Sequence, residues 1–233
     1  MLIFAFETSA KAGSVALMDD SRLLGESYCN TALTHSQTLL SMGQQLLQTC
    51  GFTPEDVTDV AVAAGPGSFT GVRIGVAAAK GFSWARQLPC WGVSTIEAMA
   101  LQLGVWQGYV CPVMDARRNQ VYNGLFHAAE GQLTRVAEDR AISLEDLGQE
   151  LKNLQEPIFL VGDGSVLCYN TLQEQVPQLI CPAEHRMHQR AAGVALGAKA
   201  MMLRGESCDG NTLTPNYLRL SQAERERMEK EKK

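Results

Sequence analysis

Glu7-Thr8-Ser9, with Ser14 a few residues on, puts one carboxylate and several hydroxyls around the first turn of the chain. A hairpin furnished this way can cradle a phosphate; ordinary turn chemistry is the competing account. Asp115 closes a later apolar run and is followed by Arg117 and Arg118, so it reads either as a residue that handles a metal or a water, or as a salt-bridged structural aspartate. Gly162-Asp163-Gly164 can line a nucleotide or simply turn the chain.

The densest feature is AGPGSFTGVRIGVAAAKG, Ala64 to Gly81. A P-loop needs a second glycine where Val72 stands, and no lysine follows in register. A dinucleotide fingerprint starting at Gly65 needs glycine where Thr70 stands, with Gly71 one place late. A nucleophile elbow fails because Ser68 directly follows Gly67. What is left is a sharp strand-to-helix turn, with Ser68 or Thr70 as the helix cap. The exposed N–H groups of that helix start can still attract an anion.

Histidines and cysteines point away from metal chemistry. His35 stands alone, His185 and His188 have no third ligand nearby, and no HExxH is present. The seven cysteines are odd in number and contain no CxxC, which fits neither a zinc cage nor a disulfide framework. They read as small core residues of a reducing, cytoplasmic compartment. No cofactor is expected. The N-terminus lacks a basic n-region and no run is long enough to span a membrane. The 233 residues are 45% hydrophobic, enough for one large domain or two modest ones. The net charge of −5 argues against a stand-alone nucleic-acid binder, though not against membership of a complex.

The elements that must position these residues follow from periodicity. Leu2–Phe6, Gly13–Met18 and Leu23–Cys29 predict an antiparallel meander. Helices are expected over Thr34–Cys50, Thr70–Leu88 and Ser94–Leu103, with a buried strand over Val57–Ala64. The pattern then restarts near Gly104–Gly108: strands at Tyr109–Asp115, Val121–Ala128 and Gln132–Ala137, a helix capped by Ser143, a strand at Pro157–Val161 and a helix over Gln189–Arg204. The tail Ser221–Lys233 is a charge run, read as a solvated, frayed helix. Within Thr70–Leu88, Gly71, Gly75, Ala78 and Ala79 share a face. Each mid-helix glycine costs about 1 kcal/mol against alanine, so that face should meet another backbone closely. A partner protein and the chain's own interior are equal candidates for it.

FETSAKAGSVAL at Phe6–Leu17, THSQTLL at Thr34–Leu40, the Ala64–Gly81 stretch, GVSTIEAMA at Gly92–Ala100, MDARRNQVY at Met114–Tyr122 and PNYLR at Pro215–Arg219 together resemble the TsaB (YeaZ) family across nearly the whole chain. The resemblance implies an α/β, actin-like (ASKHA) fold of two related halves, each a mixed sheet flanked by helices. Those halves would be residues 1–104 and 105–220, followed by the tail 221–233. It implies a non-catalytic scaffold that binds the paralogue TsaD, with the ATPase TsaE. Together they place a threonylcarbamoyl group on the adenosine beside the anticodon of tRNAs reading codons that begin with A; tRNA is reached through the complex. The two metal-binding histidines of TsaD fall here at Thr95 and Met99.

The resemblance also implies that the first long helix and the helix after the glycine loop pack on their counterparts in TsaD or in a second copy. The interface would be Gly71, Ile74, Gly75, Ala78, Ala79, Phe82, His35 and Leu39. Glu7, Thr8, Ser14 and Asp115 would remain as a vestigial nucleotide site. The competing class is an actin-like small-molecule kinase or ATPase using those four residues; a metallopeptidase is a distant third.

Overall fold

The structure is a computed structural model that describes residues 1–219 apart from Ser21, Trp106 and Asp209. Two five-stranded sheets dominate it. The first contains β1 (Leu2–Glu7), β2 (Gly13–Asp19), β3 (Arg22–Cys29), β4 (Asp59–Gly65) and β5 (Cys90–Ser94), in the order β3-β2-β1-β4-β5. The second contains β6 (Gly108–Asp115), β7 (Gln120–Ala129), β8 (Gln132–Ser143), β9 (Ile158–Val161) and β10 (Leu179–Ile180), in the order β10-β9-β6-β7-β8. Each is an antiparallel meander extended by parallel strands, so the two topologies are the same. The repeat expected from the pattern is a repeat of fold.

Strand β1 is buried on both faces, and its alternation assigns them. Leu2, Phe4 and Phe6 pack toward α1 (His35–Cys50) and α2 (Phe69–Arg86), in one core cluster with Leu39, Leu46, Val72 and Val76. Ile3 and Ala5 face the other way, onto α7 (Ala191–Leu203). That second face is rich in alanine, including Ala16, Ala61 and Ala63, and meets Ala191, Ala195 and Ala198. Small residues on both sides let helix and sheet approach closely; a Cβ at Gly197 would collide with Val93.

The helix α3 (Thr95–Leu103) does the corresponding work for the second sheet. Ile96, Met99 and Ala100 pack on Val110, Met114, Phe126 and Val161. The far face of that sheet carries α4 (Leu144–Leu151) and α5 (Ser165–Leu172). Helices α3 and α7 pack against each other, with Gly193 against the Ala98 carbonyl. They form a shared layer between the sheets. A chain-order boundary near residue 104 therefore separates the sheets but not the layers: α7, late in the chain, covers the first sheet. Glu97 ties the halves further, pairing with Arg135 of β8 and with Arg204 beyond α7, both at 3.2 Å.

Several elements depart from expectation. Strand β8 runs on to Ser143, well past Ala137, because its charged stretch is paired: Arg135 with Asp139 at 2.6 Å, and Arg140 with Glu150. Helix α5, strand β10 and the short helix α6 (Glu184–Met187) were not foreseen. Ser68 is the cap of α2, accepting from the Gly71 N–H, and Ser143 caps α4. The tail Ser221–Lys233 lies outside the described residues.

Candidate functional site

Three places answer to the sequence expectations: a cleft between the halves, the position of Thr95 and Met99, and the surface of α1 and α2.

The cleft has a volume of about 650 Å³ and is walled by the β1–β2 turn, the β4–α2 loop, the end of β6 and the C-terminal segment. Of the four residues read as a nucleotide site, only Asp115 lines it. Glu7, Thr8 and Ser14 are fully buried beneath it. The Thr8 hydroxyl donates to the Gly71 carbonyl at 2.8 Å, and the Ser14 hydroxyl accepts the Ala191 N–H at 2.8 Å. Both are occupied in holding helices to the sheet, which corrects their reading as phosphate ligands. Asp115 accepts the backbone N–H of Arg117 at 2.7 Å. The salt bridge from Asp115 to an arginine side chain is not formed among the described residues.

Glu7 is the exception in chemical character. One carboxylate oxygen accepts the Ser9 N–H at 2.5 Å, and the other has no partner among the described residues. Burial pushes its pKa up to about 7, with a further push from Asp163. Asp163, of the Gly162-Asp163-Gly164 turn, is itself raised by burial while held by the Gln189 side chain at 2.9 Å.

The C-terminal segment straps the cleft mouth. The Asn216 N–H donates to the Ala64 carbonyl at 2.6 Å. Tyr217 stacks on Phe69 with centroids 4.7 Å apart, and Arg73 donates to the Tyr217 hydroxyl at 2.8 Å while lying over the Phe69 ring. Arg219 reaches the Ala116 carbonyl of the second half at 2.7 Å. The sequence marks PNYLR only as a motif and does not single out Phe69, Arg73 or Tyr217.

Thr95 and Met99 are both core residues, 0% and 1% exposed. Met99 sits among packed apolar neighbours, Thr95 is buried with its hydroxyl unpartnered among the described residues, and a hydroxyl and a thioether are poor ligands for a catalytic divalent ion. The residues present do not fit a metal at this position. His35, read as interface, instead hydrogen-bonds the Ala10 carbonyl at 2.8 Å and packs on Gly13.

The α2 helix corrects the expected seam. A Cβ at Gly71 would strike the Thr8 carbonyl, and one at Gly75 the Thr8 hydroxyl. These glycines let α2 press on the end of β1, with Ala79 fully buried beside them. Leu39 of α1 is likewise core. The close approach is real, but it is to the chain's own sheet. The face α2 turns outward is different: Ala77, Gly81 and Ala85 are exposed at four-residue intervals, beside Trp84 at 81% exposure. A Cβ at Gly81 would meet nothing within 4 Å. Next to it lies an apolar groove of about 440 Å³ between α1 and α2, lined by Leu40, Gly43, Leu47, Phe52 and Phe82 and floored by Phe4 and Phe6. Leu40 is 66% exposed. Ile74 and Ala78, with Phe82, are partly buried against the same core cluster. Arg73, four residues before Ala77, is the residue type that sets this outer row apart in the sequence.

Residues 30–227 match the family model described as TsaD, tRNA N6-adenosine threonylcarbamoyltransferase. The chain is also 32% identical, over 235 residues covering all of both chains, to the tRNA threonylcarbamoyladenosine biosynthesis protein TsaB of Bacillus subtilis. The chain belongs to the TsaB (YeaZ) family. A solved structure described as an uncharacterized protein with similarity to peptidase YeaZ, from Pseudomonas aeruginosa, superposes with a TM-score of 0.75 at 27% identity, covering 94% of this chain and 99% of that one. The ROK hexokinase of Thermus thermophilus superposes at 0.51 with 12% identity, covering 88% and 100%; that likeness is one of fold, and it is the actin-like fold. Among the described residues, no helix is long and apolar enough to cross a membrane.

Proposed function

We propose that the chain is a non-catalytic scaffold in tRNA threonylcarbamoyladenosine biosynthesis. It binds TsaD, with TsaE joining them, so that threonylcarbamoyl is transferred to the adenosine beside the anticodon of tRNAs reading codons that begin with A. The observation that carries this reading is the outer face of α2 with the adjoining α1 groove. A small, apolar, exposed stripe suits close packing of a partner helix, and Leu40 and Phe82 offer apolar area beside it. Core packing at Thr95 and Met99 supports the non-catalytic half of the reading. The same face serves a homodimer when TsaD is absent, which fits a cytoplasmic protein that exchanges partners.

The test is to mix the full chain with TsaD from the same cell and follow both by sedimentation. The expected result is a heterodimer that replaces any homodimer of the chain. Transfer to tRNA should then require TsaD and be absent with the chain alone. Separate sedimentation of the two proteins, or transfer by the chain alone, would contradict the proposal.

A further inference from the structure

We propose that the mouth of the interlobe cleft contacts the sugar-phosphate backbone of RNA directly, through Lys11, Arg117 and Arg118. The turn joining β6 to β7 holds three successive non-glycine residues in the left-handed region: Arg117 at φ 62°, Arg118 at φ 58° and Asn119 at φ 57°. Side chains rarely adopt this backbone, and arginine is not among the residues that adopt it readily. The turn is fixed from several sides. Asp115 accepts from Arg117, Ala116 donates to Gln120, and Leu144 donates to the Asn119 carbonyl. Such over-determined strain collects at working sites. Here its result is to hold two guanidinium groups at the surface: Arg117 lines the cleft, and Arg118, next in the turn, is exposed without lining it. Lys11, on the equivalent turn of the first half, stands on the opposite rim.

Position and free charge together mark these three: of the cations lining the cleft, Arg219 is committed to the Ala116 carbonyl, whereas Lys11 and Arg117 have no side-chain partner among the described residues. Away from the cleft, Arg22, Arg86, Arg135, Arg140, Arg190 and Arg204 each pair with a carboxylate, while among the described residues Arg73, Lys80, Lys152, Arg186 and Lys199 do not. Among the described residues Lys11, Arg117 and Arg118 pair with none. They form a cationic rim on a chain whose net charge is −5. The cleft walls also carry acids, Asp115 and Asp163, with Glu7 buried beneath them. A phosphate driven deep into the cleft meets those acids; a phosphodiester backbone crossing the mouth meets the rim. Beside the rim, Tyr217 and Phe69 with Arg73 offer a stacked planar surface of the kind that receives an unpaired base.

That the polyanion is RNA rests on the tRNA-modification role proposed above, and the experiment separates the two. An unmodified tRNA transcript is titrated at 50 to 200 mM salt against the full chain alone and against its mixture with TsaD. Each neutralised phosphate contributes about 0.7 to 0.9 to the slope of log affinity on log salt. The Lys11→Ala/Arg117→Ala/Arg118→Ala variant should lose about 2 to 3 from that slope and bind roughly tenfold or more weakly at the low-salt end. Arg117→Gly/Arg118→Gly relieves the left-handed strain, so it should melt no lower than the wild type and still bind weakly; a purely structural turn would not separate the two readouts. Slopes unchanged by either variant, or no tRNA binding by the wild-type chain in both settings, overturn the proposal. Failure of the chain to associate with TsaD counts against the scaffold role alone, because the titration of the lone chain still reads the rim.

Discussion

At the scale of single residues, burial sets the behaviour of Glu7. Its carboxyl is raised from 4.5 to about 7, so the folded chain holds that proton more tightly than the unfolded chain does. Below about pH 4.5 both states are protonated and no penalty exists. As pH rises from there to about 7, the unfolded state ionises first and stability falls; above 7 the full penalty stands. The shift corresponds to about 3 kcal/mol at most. Glu7→Gln keeps an oxygen for the Ser9 N–H and removes the ionisation. The variant should therefore gain melting temperature over the wild type at pH 8, and gain little or nothing at pH 4.5. Equal gains at both pH values would show that Glu7 is not titrating in this way. Burial also raises the thiols of Cys90 to about 11 and Cys168 to about 12, in keeping with cysteines that act as packing.

At the scale of elements, α2 divides into an inner and an outer row, and substitutions on the two rows should separate. Gly75→Leu forces a branched side chain against Thr8 and Val62. Overpacking costs typically about 1–3 kcal/mol, and here it falls on the lone chain, so its melting temperature should drop. Gly81→Leu enters open space and replaces a poor helix former with a good one, a gain of up to about 1 kcal/mol. It should leave melting unchanged or higher while obstructing the proposed partner helix. Loss of folding by Gly81→Leu would mean that the outer row is packed internally after all. The sequence made the existence of α1, α2, β1 and β4 plain, since their apolar runs are long and their caps and stops regular. It did not reveal which side of α2 faces in, because small residues occupy both rows; only Arg73 distinguishes them. Helix α5 is eight residues with little amphipathic pattern, and β10 is two residues. Segments so short carry too few residues to establish a period.

At the scale of the whole molecule, two copies of one topology are held by the shared α3/α7 layer and by the C-terminal strap. The duplication was legible because each half repeats the order of apolar runs. The exchange of α7 onto the first sheet was not, because complementary alanine faces reveal a partner only once folded. Of the cleft, the sequence located the turns that wall it but left open whether Thr8 and Ser14 hold a phosphate or the chain; their hydroxyls bond the backbone. Tyr217 links the strap to α2, and Arg219 links it to the β6–β7 turn. Tyr217→Ala removes a stacked pair worth about 0.5–1.5 kcal/mol and a hydrogen bond worth about 1 kcal/mol. Hydrogen exchange at the Asn216 amide should quicken markedly, with little change inside β1. Unchanged exchange at Asn216 would show that the Ala64 carbonyl holds the strap unaided.

The outer face of α2 is the surface proposed to meet TsaD. Its most direct test is the dissociation constant of the full chain for TsaD, measured by calorimetry for the wild type and for Gly81→Leu under conditions where both are folded. A clash at that seam predicts affinity weaker by tenfold or more, which corresponds to about 1.4 kcal/mol. Equal affinity for the two, with equal stability, would contradict it and place the partner elsewhere on the molecule.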